Sequence, residues 1–310
     1  MSQLRSTVAP EFADARWAFE RYEAIRARLP TFGHPGRVQA IADLGEVADR
    51  FDAFVFDSFG VLNVGEVPIP GAAERIADLR RRGKKVLVLT NAATAPLGTL
   101  PQKYADLGFD FGAEEIISSR AILAAHLNQT VALQPWSVIA PEASNVAELG
   151  VPLTLIEGAA VPEARTGGVI LLSSQTMDDT LYLALKASLA SRPAPVLVGN
   201  PDLVAPRVDG YSLEPGTFAH QLADDLGLEP EFFGKPYDNA FNTVSALFGD
   251  TVQPHRIAMV GDTLHTDILG GSAAGFGTIL VKDHGVLKSL DVPACIEQSG
   301  ISPDYIVPQI

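Results

Sequence analysis

The sequence has very little cysteine, comparatively little positive charge and no long hydrophobic run. Its 310 residues include a single cysteine, Cys295, which excludes a disulfide framework and a cysteine-based zinc site. No apolar stretch approaches the ~18 residues of a transmembrane helix, and the first residues lack the apolar run of a signal peptide. We therefore expect no membrane partner and a cytoplasmic location.

The charge balance is negative. The chain carries 23 Lys and Arg against 37 Asp and Glu, which gives a formal net charge of −14. Proteins that bind nucleic acid in general, or anionic membranes, need a basic surface, so this composition argues against both classes. A small anionic substrate is not excluded, because its site needs only local positive charge. At ~150 residues per domain, the length predicts about two domains.

Apolar runs alternate with segments of helical spacing. Strands are predicted at residues 53–57, 85–90, 114–119, 136–140, 152–157, 167–173, 194–200, 256–262 and 277–283. Helices are predicted at residues 69–79, 98–107, 177–190, 215–227, 238–249 and 267–274. This order predicts an α/β fold with a doubly wound parallel sheet and helices on both faces. Residues 1–50 are expected to be mostly helical.

Polar side chains lie where the predicted strands end. Asp57, Thr90 and Asp262 each end a strand, and Lys235 lies in a Gly-Lys-Pro turn. The carboxyl ends of parallel strands meet at one crevice, where ligands bind. Two carboxylates there can hold Mg²⁺, and a hydroxyl and a lysine can bind phosphate oxygens. A carboxylate facing a metal-bound phosphate can act as a nucleophile and form an aspartyl-phosphate.

Four segments together resemble the motifs of a known enzyme superfamily. FVFDSFGVL (54–62), VLVLTN (86–91), GKP (234–236) and GDTLHTDI (261–268) resemble, in order, the four motifs of the haloacid dehalogenase (HAD) superfamily of phosphohydrolases. VGNPDLVAP (198–206) is similar to the TNPD segment of subfamily IIA, the NagD-like and p-nitrophenyl-phosphatase-like enzymes with a C2 cap. Each motif alone is weak or moderate, but all four in the correct order make a specific signal. The resemblance covers roughly residues 45–285.

The resemblance also implies how the domains are organised. Lys235 lies 145 positions after Thr90, which leaves room for an inserted α/β cap domain. The implied domains are an N-terminal helical extension (1–45), a HAD-like Rossmannoid core (46–124 and 208–310) and a C2-type cap (125–207). Such a cap closes over the core and selects the substrate. Caps of this type often contribute to dimer contacts, so the resemblance also implies a possible homodimer.

The resemblance assigns chemical roles to residues of this chain. Asp57 would be the nucleophile, Thr90 and the backbone at Asn91 would bind the phosphoryl group, and Lys235 would neutralise charge. The metal ion, Mg²⁺, would be held by Asp57, Asp262 and the backbone carbonyl of Phe59, with Asp267 in the outer shell or at a helix start. Substrate contacts would come from Ser58, Asn91, Asn200 and Asp202.

Position 59 departs from the family pattern. The phosphatases have a second aspartate there, whose backbone carbonyl binds the metal and whose side chain protonates the leaving alcohol and then activates water. Phe59 keeps the carbonyl but cannot transfer a proton, and general acid–base help contributes ~10²–10⁴-fold in rate. Three explanations are open: another carboxyl group replaces it (Glu66, Asp202 or Asp267), the substrate has a good leaving group, or the protein binds a phosphorylated ligand with little turnover.

The function that the sequence predicts is Mg²⁺-dependent hydrolysis of a small phosphorylated metabolite, such as a sugar phosphate or a nucleotide-like monoester, through Asp57. The alternatives are a catalytically weakened binding protein, dehalogenation, or phosphonate cleavage. Dehalogenases act without Mg²⁺ and lack the Gly-Asp pair, so Asp262 argues against that reaction. Phosphonate cleavage would need a cap lysine, and Lys186 is predicted in mid-helix. His265 is expected at the surface rather than in the cleft.

Overall fold

The structure is a computed structural model that describes residues 13–130, 135–156 and 167–310. In chain order the described strands are β1 (Gln39–Ala40), β2 (Ala53–Phe56), β3 (Asn63–Val64), β4 (Val67–Pro68), β5 (Lys85–Thr90), β6 (Ile116–Ser118), β7 (Trp136–Ile139), β8 (Leu153–Leu155), β9 (Val169–Leu171), β10 (Val196–Val198), β11 (Val204–Arg207), β12 (Gly210–Leu213), β13 (Glu231–Phe232), β14 (Ile257–Gly261), β15 (Gly277–Val281) and β16 (Tyr305–Val307).

The described α-helices follow the strands and cover the sheets. They are α1 (Ala15–Ala24), α2 (Ala72–Arg81), α3 (Leu100–Asp106), α4 (Ser119–Thr130), α5 (Asp179–Ser191), α6 (Pro215–Leu226), α7 (Asp238–Phe248), α8 (Leu269–Ala273) and α9 (Val292–Ser299). A π-helical turn, Leu264–Ile268, leads directly into α8. Within the described ranges, no helix has both the length and the apolar character needed to cross a bilayer.

The larger sheet has seven strands in the order β1-β16-β15-β14-β2-β5-β6, and every neighbouring pair is parallel. Side chains of a strand alternate between the two faces of a sheet. In β2, Phe54 and Phe56 lie in one hydrophobic cluster with residues of α2, whereas Val55 lies in another with residues of α7. Both faces of this sheet are therefore covered, and the prediction of a doubly wound parallel sheet is confirmed.

The second sheet has five parallel strands in the order β13-β10-β9-β7-β8. One of its faces packs against α5 and α6. Four of its strands come from residues 136–198, the stretch predicted to form the cap, and β13 joins them from later in the chain. The domain bounds stay a prediction.

The N-terminal region differs in part from expectation. Residues 1–12 lie outside the described residues; after them come α1 and a single 3₁₀ turn at Arg26–Arg28. Gln39–Ala40 then forms an edge strand that pairs in parallel with β16, so the expectation of a mostly helical segment is wrong there. The strand has only two residues, too few for a pattern, and its partner lies more than 260 positions away, so tertiary pairing creates it.

Candidate active site and metal centre

Three neighbouring strands of the larger sheet bring the predicted residues to one edge. Because β14, β2 and β5 are adjacent and parallel, Asp262, Asp57 and Thr90 follow or end strands at the same side of the sheet. The Asp57 amide donates to the carbonyl of Val260, 2.9 Å away, which extends the strand pairing up to the nucleophile position. The residues predicted from strand ends therefore do converge.

Lys235 joins these carboxylates from the loop between β13 and α7. Its Nζ lies 2.5 Å from Asp57 Oδ1 and 2.7 Å from Asp267 Oδ1, and its side chain is only 2% exposed. Burial alone would lower the pKa of Lys235, but the carboxylates of Asp267, Asp57 and Asp202 outweigh it and raise the pKa above its usual value. The neighbouring carboxylates therefore favour the ammonium form of the lysine.

Three carboxylates gather closely enough to hold a cation. Asp57, Asp262 and Asp267 each offer an oxygen within 4.8 Å of the others. Burial raises the pKa of Asp57, Lys235 lowers it and the Asp267 carboxylate raises it again, so that the pKa lies at about 6. Burial and the neighbouring carboxylates raise the pKa of Asp262 well above its usual value. Three buried carboxylates against one lysine leave negative charge that a divalent cation would offset, and carboxylates with water and phosphate oxygens suit Mg²⁺.

Hydrogen bonds fix two of these carboxylates in place. Asp262 accepts from the Val286 amide at 2.7 Å and from the Thr263 hydroxyl at 2.8 Å. Asp267 Oδ2 accepts from the amides of Asp262 and Thr263, both at 3.1 Å, while its Oδ1 faces Lys235. Asp267 thus holds the backbone at the start of its own turn, as one of the two roles considered from the sequence requires, and also contacts the lysine. Its outer-shell role at a metal ion stays a prediction.

Glycines allow the backbone to approach Asp262. Gly60 has φ +81°, and a Cβ there would lie 2.4 Å from Asp262 Oδ2. A Cβ on Gly285 would lie 2.1 Å from Asp262 Cβ. Neither position can carry a side chain without displacing this carboxylate.

Asn91 connects the loop after β5 to Lys235 and Asp202. Its Oδ1 accepts from the Lys235 amide, and its Nδ2 donates to the carbonyl of Lys235 and to Asp202 Oδ1, all at 2.8 Å. Thr90 is 2% exposed and accepts from the Ala92 amide at 3.2 Å. The side chain of Asn91 therefore fixes the loops that carry Lys235 and Asp202 relative to each other. Any contact of its backbone with a ligand would be additional.

The Asn-Pro-Asp segment divides its two polar residues between different tasks. Asn200 Oδ1 accepts from the Asp202 amide at 2.9 Å, and its Nδ2 donates to Glu214 Oε2 at 3.0 Å, so Asn200 builds the turn. Asp202 lies in the cavity. Burial raises the pKa of Asp202, Lys235 lowers it and the Asp57 carboxylate raises it further. Together they place the pKa of Asp202 at about 8.

A cavity of about 340 Å³ opens above the strand ends, with Asp57, Thr90, Asn91, Asn200, Asp202, Lys235 and Asp262 in its wall. The ring of Phe59 also lines it. Its backbone carbonyl accepts no hydrogen bond from the described residues, so it remains free for a ligand. Ser58 does not line this cavity: its Oγ is bonded to Asn63 and Tyr104 at 2.8 and 3.0 Å.

The N-terminal helix reaches the site, which the sequence does not predict. His265, expected at the surface, is 1% exposed and stacks on Tyr22 with ring centroids 5.0 Å apart. Its Nε2 lies 2.5 Å from Glu23 Oε1. The surface expectation was wrong because α1, more than 240 positions earlier in the chain, covers this histidine. Tyr22 itself lines the cavity and accepts from the Leu203 amide at 3.1 Å.

Two cations in the cavity wall were also missed. Lys103 of α3 and Arg207 of β11 both lie beside the Phe59 ring. Neither belongs to a motif, and isolated basic residues on a helix or a short strand carry no signal of a site. Only the packing of the chain brings them together.

Comparisons with known proteins agree with this geometry. Two family models match the chain, a haloacid dehalogenase-like hydrolase model over residues 54–150 and a HAD-hydrolase-like model over residues 232–310. Human chronophin is 31% identical over 293 residues, covering 87% of this chain and 94% of that protein. Human glycerol-3-phosphate phosphatase is 29% identical over 293 residues, covering 84% and 88%.

A solved structure is similar over nearly its full length. The crystal structure of a possible sugar phosphatase of the HAD superfamily from Cytophaga hutchinsonii superimposes with a TM-score of 0.79 at 25% identity, covering 88% of this chain and 98% of that chain. The predictions of the superfamily, of its NagD-like and p-nitrophenyl-phosphatase-like subfamily, and of a phosphatase-type enzyme are confirmed. The chain belongs to the haloacid dehalogenase-like hydrolases, in subfamily IIA.

Proposed function

We propose that this protein is a Mg²⁺-dependent phosphatase of small phosphorylated metabolites in which Asp57 forms an aspartyl-phosphate. The observation that carries the proposal is the cluster of Asp57, Asp262 and Asp267, in which the Nζ of Lys235 is paired with Asp57 and Asp267. Asp57, Asp262 and Lys235 of this cluster line the cavity. Carboxylates, one buried cation and a strand-end hydroxyl at one point supply what phosphoryl transfer needs, namely a nucleophile and stabilisation of charge.

The residues that would hold the metal are Asp57, Asp262 and the carbonyl of Phe59, with Asp267 supporting them. When bound, Mg²⁺ supplies positive charge to the phosphate oxygens and orients the ester for in-line attack. The donor set fits this ion because it is made of hard oxygens and leaves positions for water and phosphate.

The reaction proceeds in two steps on this chain. A carboxylate oxygen of Asp57 forms a bond to phosphorus as the ester P–O bond breaks and the alcohol oxygen leaves with the bonding pair. Lys235 and the Thr90 hydroxyl hold the phosphoryl oxygens. Water then attacks the phosphorus of the aspartyl-phosphate, which releases inorganic phosphate and restores the Asp57 carboxylate.

Phe59 determines which esters react well. It has no proton to give, so the leaving oxygen takes its proton from water or departs as the anion. Esters with acidic leaving groups, such as acyl or aryl phosphates, therefore react faster than alkyl phosphates. The cavity of about 340 Å³ accepts a small metabolite, and the relatives include a phosphatase of glycerol 3-phosphate.

The nucleophile is tested with Asp57→Asn. We expect it to reduce turnover of p-nitrophenyl phosphate and of a panel of phosphorylated metabolites in Mg²⁺ by at least ~10³-fold, because an amide cannot form the acyl phosphate. Asp250→Asn, a change at an exposed carboxylate before the start of β14, is the control and should retain activity. Unchanged turnover in the Asp57 variant would remove Asp57 as the nucleophile.

A second candidate is a phospholigand-binding protein with weakened catalysis, and Phe59 is the observation that favours it. The same panel separates the two. Turnover of aryl but not alkyl phosphates supports an enzyme whose substrates have good leaving groups that need no protonation. Tight binding of phosphorylated ligands without release of phosphate from any ester supports the binding protein.

A further inference from the structure

The cavity wall holds positive charge in addition to Lys235. The Nζ of Lys103 lies 4.8 Å from the centroid of the Phe59 ring, and the Cζ of Arg207 lies 5.0 Å from it. All three residues line the same cavity as Asp57. In a chain with a net charge of −14, two cations directed to one ring of the active-site wall need an explanation.

The charge of Lys103 is not matched by the protein. Within the described part of the chain, no carboxylate lies within 4 Å of its Nζ, although the side chain is half-buried. Burial lowers the pKa of Lys103, the exposed Glu66 acts in the opposite direction, and Arg207 lowers it further. An ammonium held away from water and beside another cation is costly, and a bound anion would offset that cost.

Arg207 forms an ion pair with Glu214 but keeps donors that no described residue uses. Its Nε donates to Ser212 Oγ at 2.9 Å and its Nη2 donates to Glu214 Oε1 at 3.1 Å. Glu214 is fixed in turn by Asn200. Among the described residues, Nη1 of Arg207 has no hydrogen-bond partner, so one donor of a rigid guanidinium remains for a ligand.

Phe59 leaves both cations available. A carboxylate at this position would lie beside the two charges and neutralise them, whereas the ring offers only a weak cation–π attraction. The residue that removes the proton donor therefore also keeps a carboxylate away from Lys103 and Arg207 in the cavity wall.

We propose that Lys103 and Arg207 form a second anion subsite, and that the substrate is a phosphomonoester with a second anionic group, a carboxylate or a phosphoryl group, on its leaving-group side. This assignment rests on the proposed function, because it places the scissile phosphate at Asp57. Lys103 is the specificity-determining residue, since none of the ion pairs among the described residues includes it and only the exposed Glu66 raises its pKa.

The test uses phosphonates, which bind but are not hydrolysed. In Mg²⁺, the full chain should bind 3-phosphonopropionate at least about tenfold more tightly than propylphosphonate, a difference of ~1.4 kcal/mol. Lys103→Gln should remove most of that preference, with affinity for propylphosphonate within twofold. Lys103→Arg should keep the preference, and Lys282→Gln, at an exposed lysine, should leave both affinities unchanged.

Equal affinity of the unaltered protein for the two phosphonates would overturn the subsite, and that result needs no variant to fold. Equal weakening of both ligands by Lys103→Gln would overturn it too. Propane-1,3-bisphosphonate distinguishes the two anions: tighter binding than 3-phosphonopropionate assigns a second phosphoryl group, and weaker binding assigns a carboxylate.

Turnover reports separately on the proposed function. If esters are hydrolysed, 3-phosphoglycerate should exceed glycerol 3-phosphate in kcat/KM, and Lys103→Gln should remove the difference mainly through KM. If no ester is hydrolysed but the phosphonate preference is present, the phosphatase proposal fails and the anion subsite stands.

Discussion

At residue 59, one side chain changes the chemistry without changing the scaffold. The backbone carbonyl beside Asp57 is free for a ligand whatever the side chain is, whereas the side chain itself decides whether a proton donor is present. Burial raises the pKa of the neighbouring Asp202 to about 8, which favours a protonated carboxyl group near neutral pH. Its side chain accepts a hydrogen bond from Asn91 and lies in the same cavity.

Phe59→Asp should increase hydrolysis of alkyl phosphates by at least about tenfold, because it restores a carboxyl group that can protonate the leaving oxygen. Aryl phosphates should gain much less, because their phenolate leaving group departs without being protonated. The measurement is kcat/KM for glycerol 3-phosphate and p-nitrophenyl phosphate in Mg²⁺, with Phe59→Asn as a control that removes the ring but adds no acid. A flat response to Phe59→Asp would mean that another group already supplies the proton, and loss of alkyl phosphate turnover in Asp202→Asn would then assign it to Asp202.

The sequence predicted the site where its residues follow strands. Asp57, Thr90 and Asp262 end buried apolar runs, and parallel strands must bring such ends together. It did not predict Tyr22 or Lys103, since those residues reach the cavity through tertiary packing and belong to no local pattern. Chemistry at strand ends can be inferred from sequence, whereas cavity walls built by distant helices cannot.

At the scale of elements, burial decided which predictions succeeded. The continuous apolar runs gave β2, β5, β14 and β15 nearly residue for residue, because strands covered on both faces leave no ambiguity. The hairpin β11–β12, which carries Arg207, was missed because it alternates polar and apolar residues weakly. Helix α4 was missed because its apolar residues spread around the helix, which lies between the two sheets.

Helix α1 links the two parts of the site. Glu23 contacts His265 in the π-helical turn that also carries Asp267. On the other side of the helix, Arg21 binds Asp224 of α6 at 2.5 Å. The Tyr22 hydroxyl meets the amide that follows Asp202. This helix therefore contacts both the π-helical turn that carries Asp267 and the Asn-Pro-Asp turn.

Glu23→Gln should destabilise the protein and weaken Mg²⁺ activation. The Nε2 of the buried His265 lies 2.5 Å from Glu23 Oε1, a charge-assisted contact whose loss costs about 1–3 kcal/mol. Urea unfolding and the Mg²⁺ concentration for half-maximal activity measure the two effects. Glu20→Gln, on an exposed face of the same helix, is the matched control. Equal effects of the two substitutions would show that the contact with His265 is unimportant.

At the scale of the whole molecule, part of the excess negative charge is concentrated at the candidate active site. The chain has a net charge of −14, and three of its carboxylates meet at one point with Lys235 as their only cation partner among the ion pairs of the described residues. Such a centre opposes folding until a cation binds it. A homodimer, expected from the family, stays a prediction.

Mg²⁺ should therefore stabilise the folded protein, and more strongly at pH 8 than at pH 5. Without metal, the pKa of Asp57 is raised to about 6 from an unfolded value of ~3.9, so its contribution to stability is lost as the pH rises through about 6. Metal binds the deprotonated carboxylates and restores that stability where they are ionised. At a hundredfold excess over Kd the gain is ~2.7 kcal/mol, seen as a rise of a few degrees in Tm. Asp262→Asn should abolish the rise. A shift that persists in this variant, or that is as large at pH 5 as at pH 8, would show that the cation binds elsewhere.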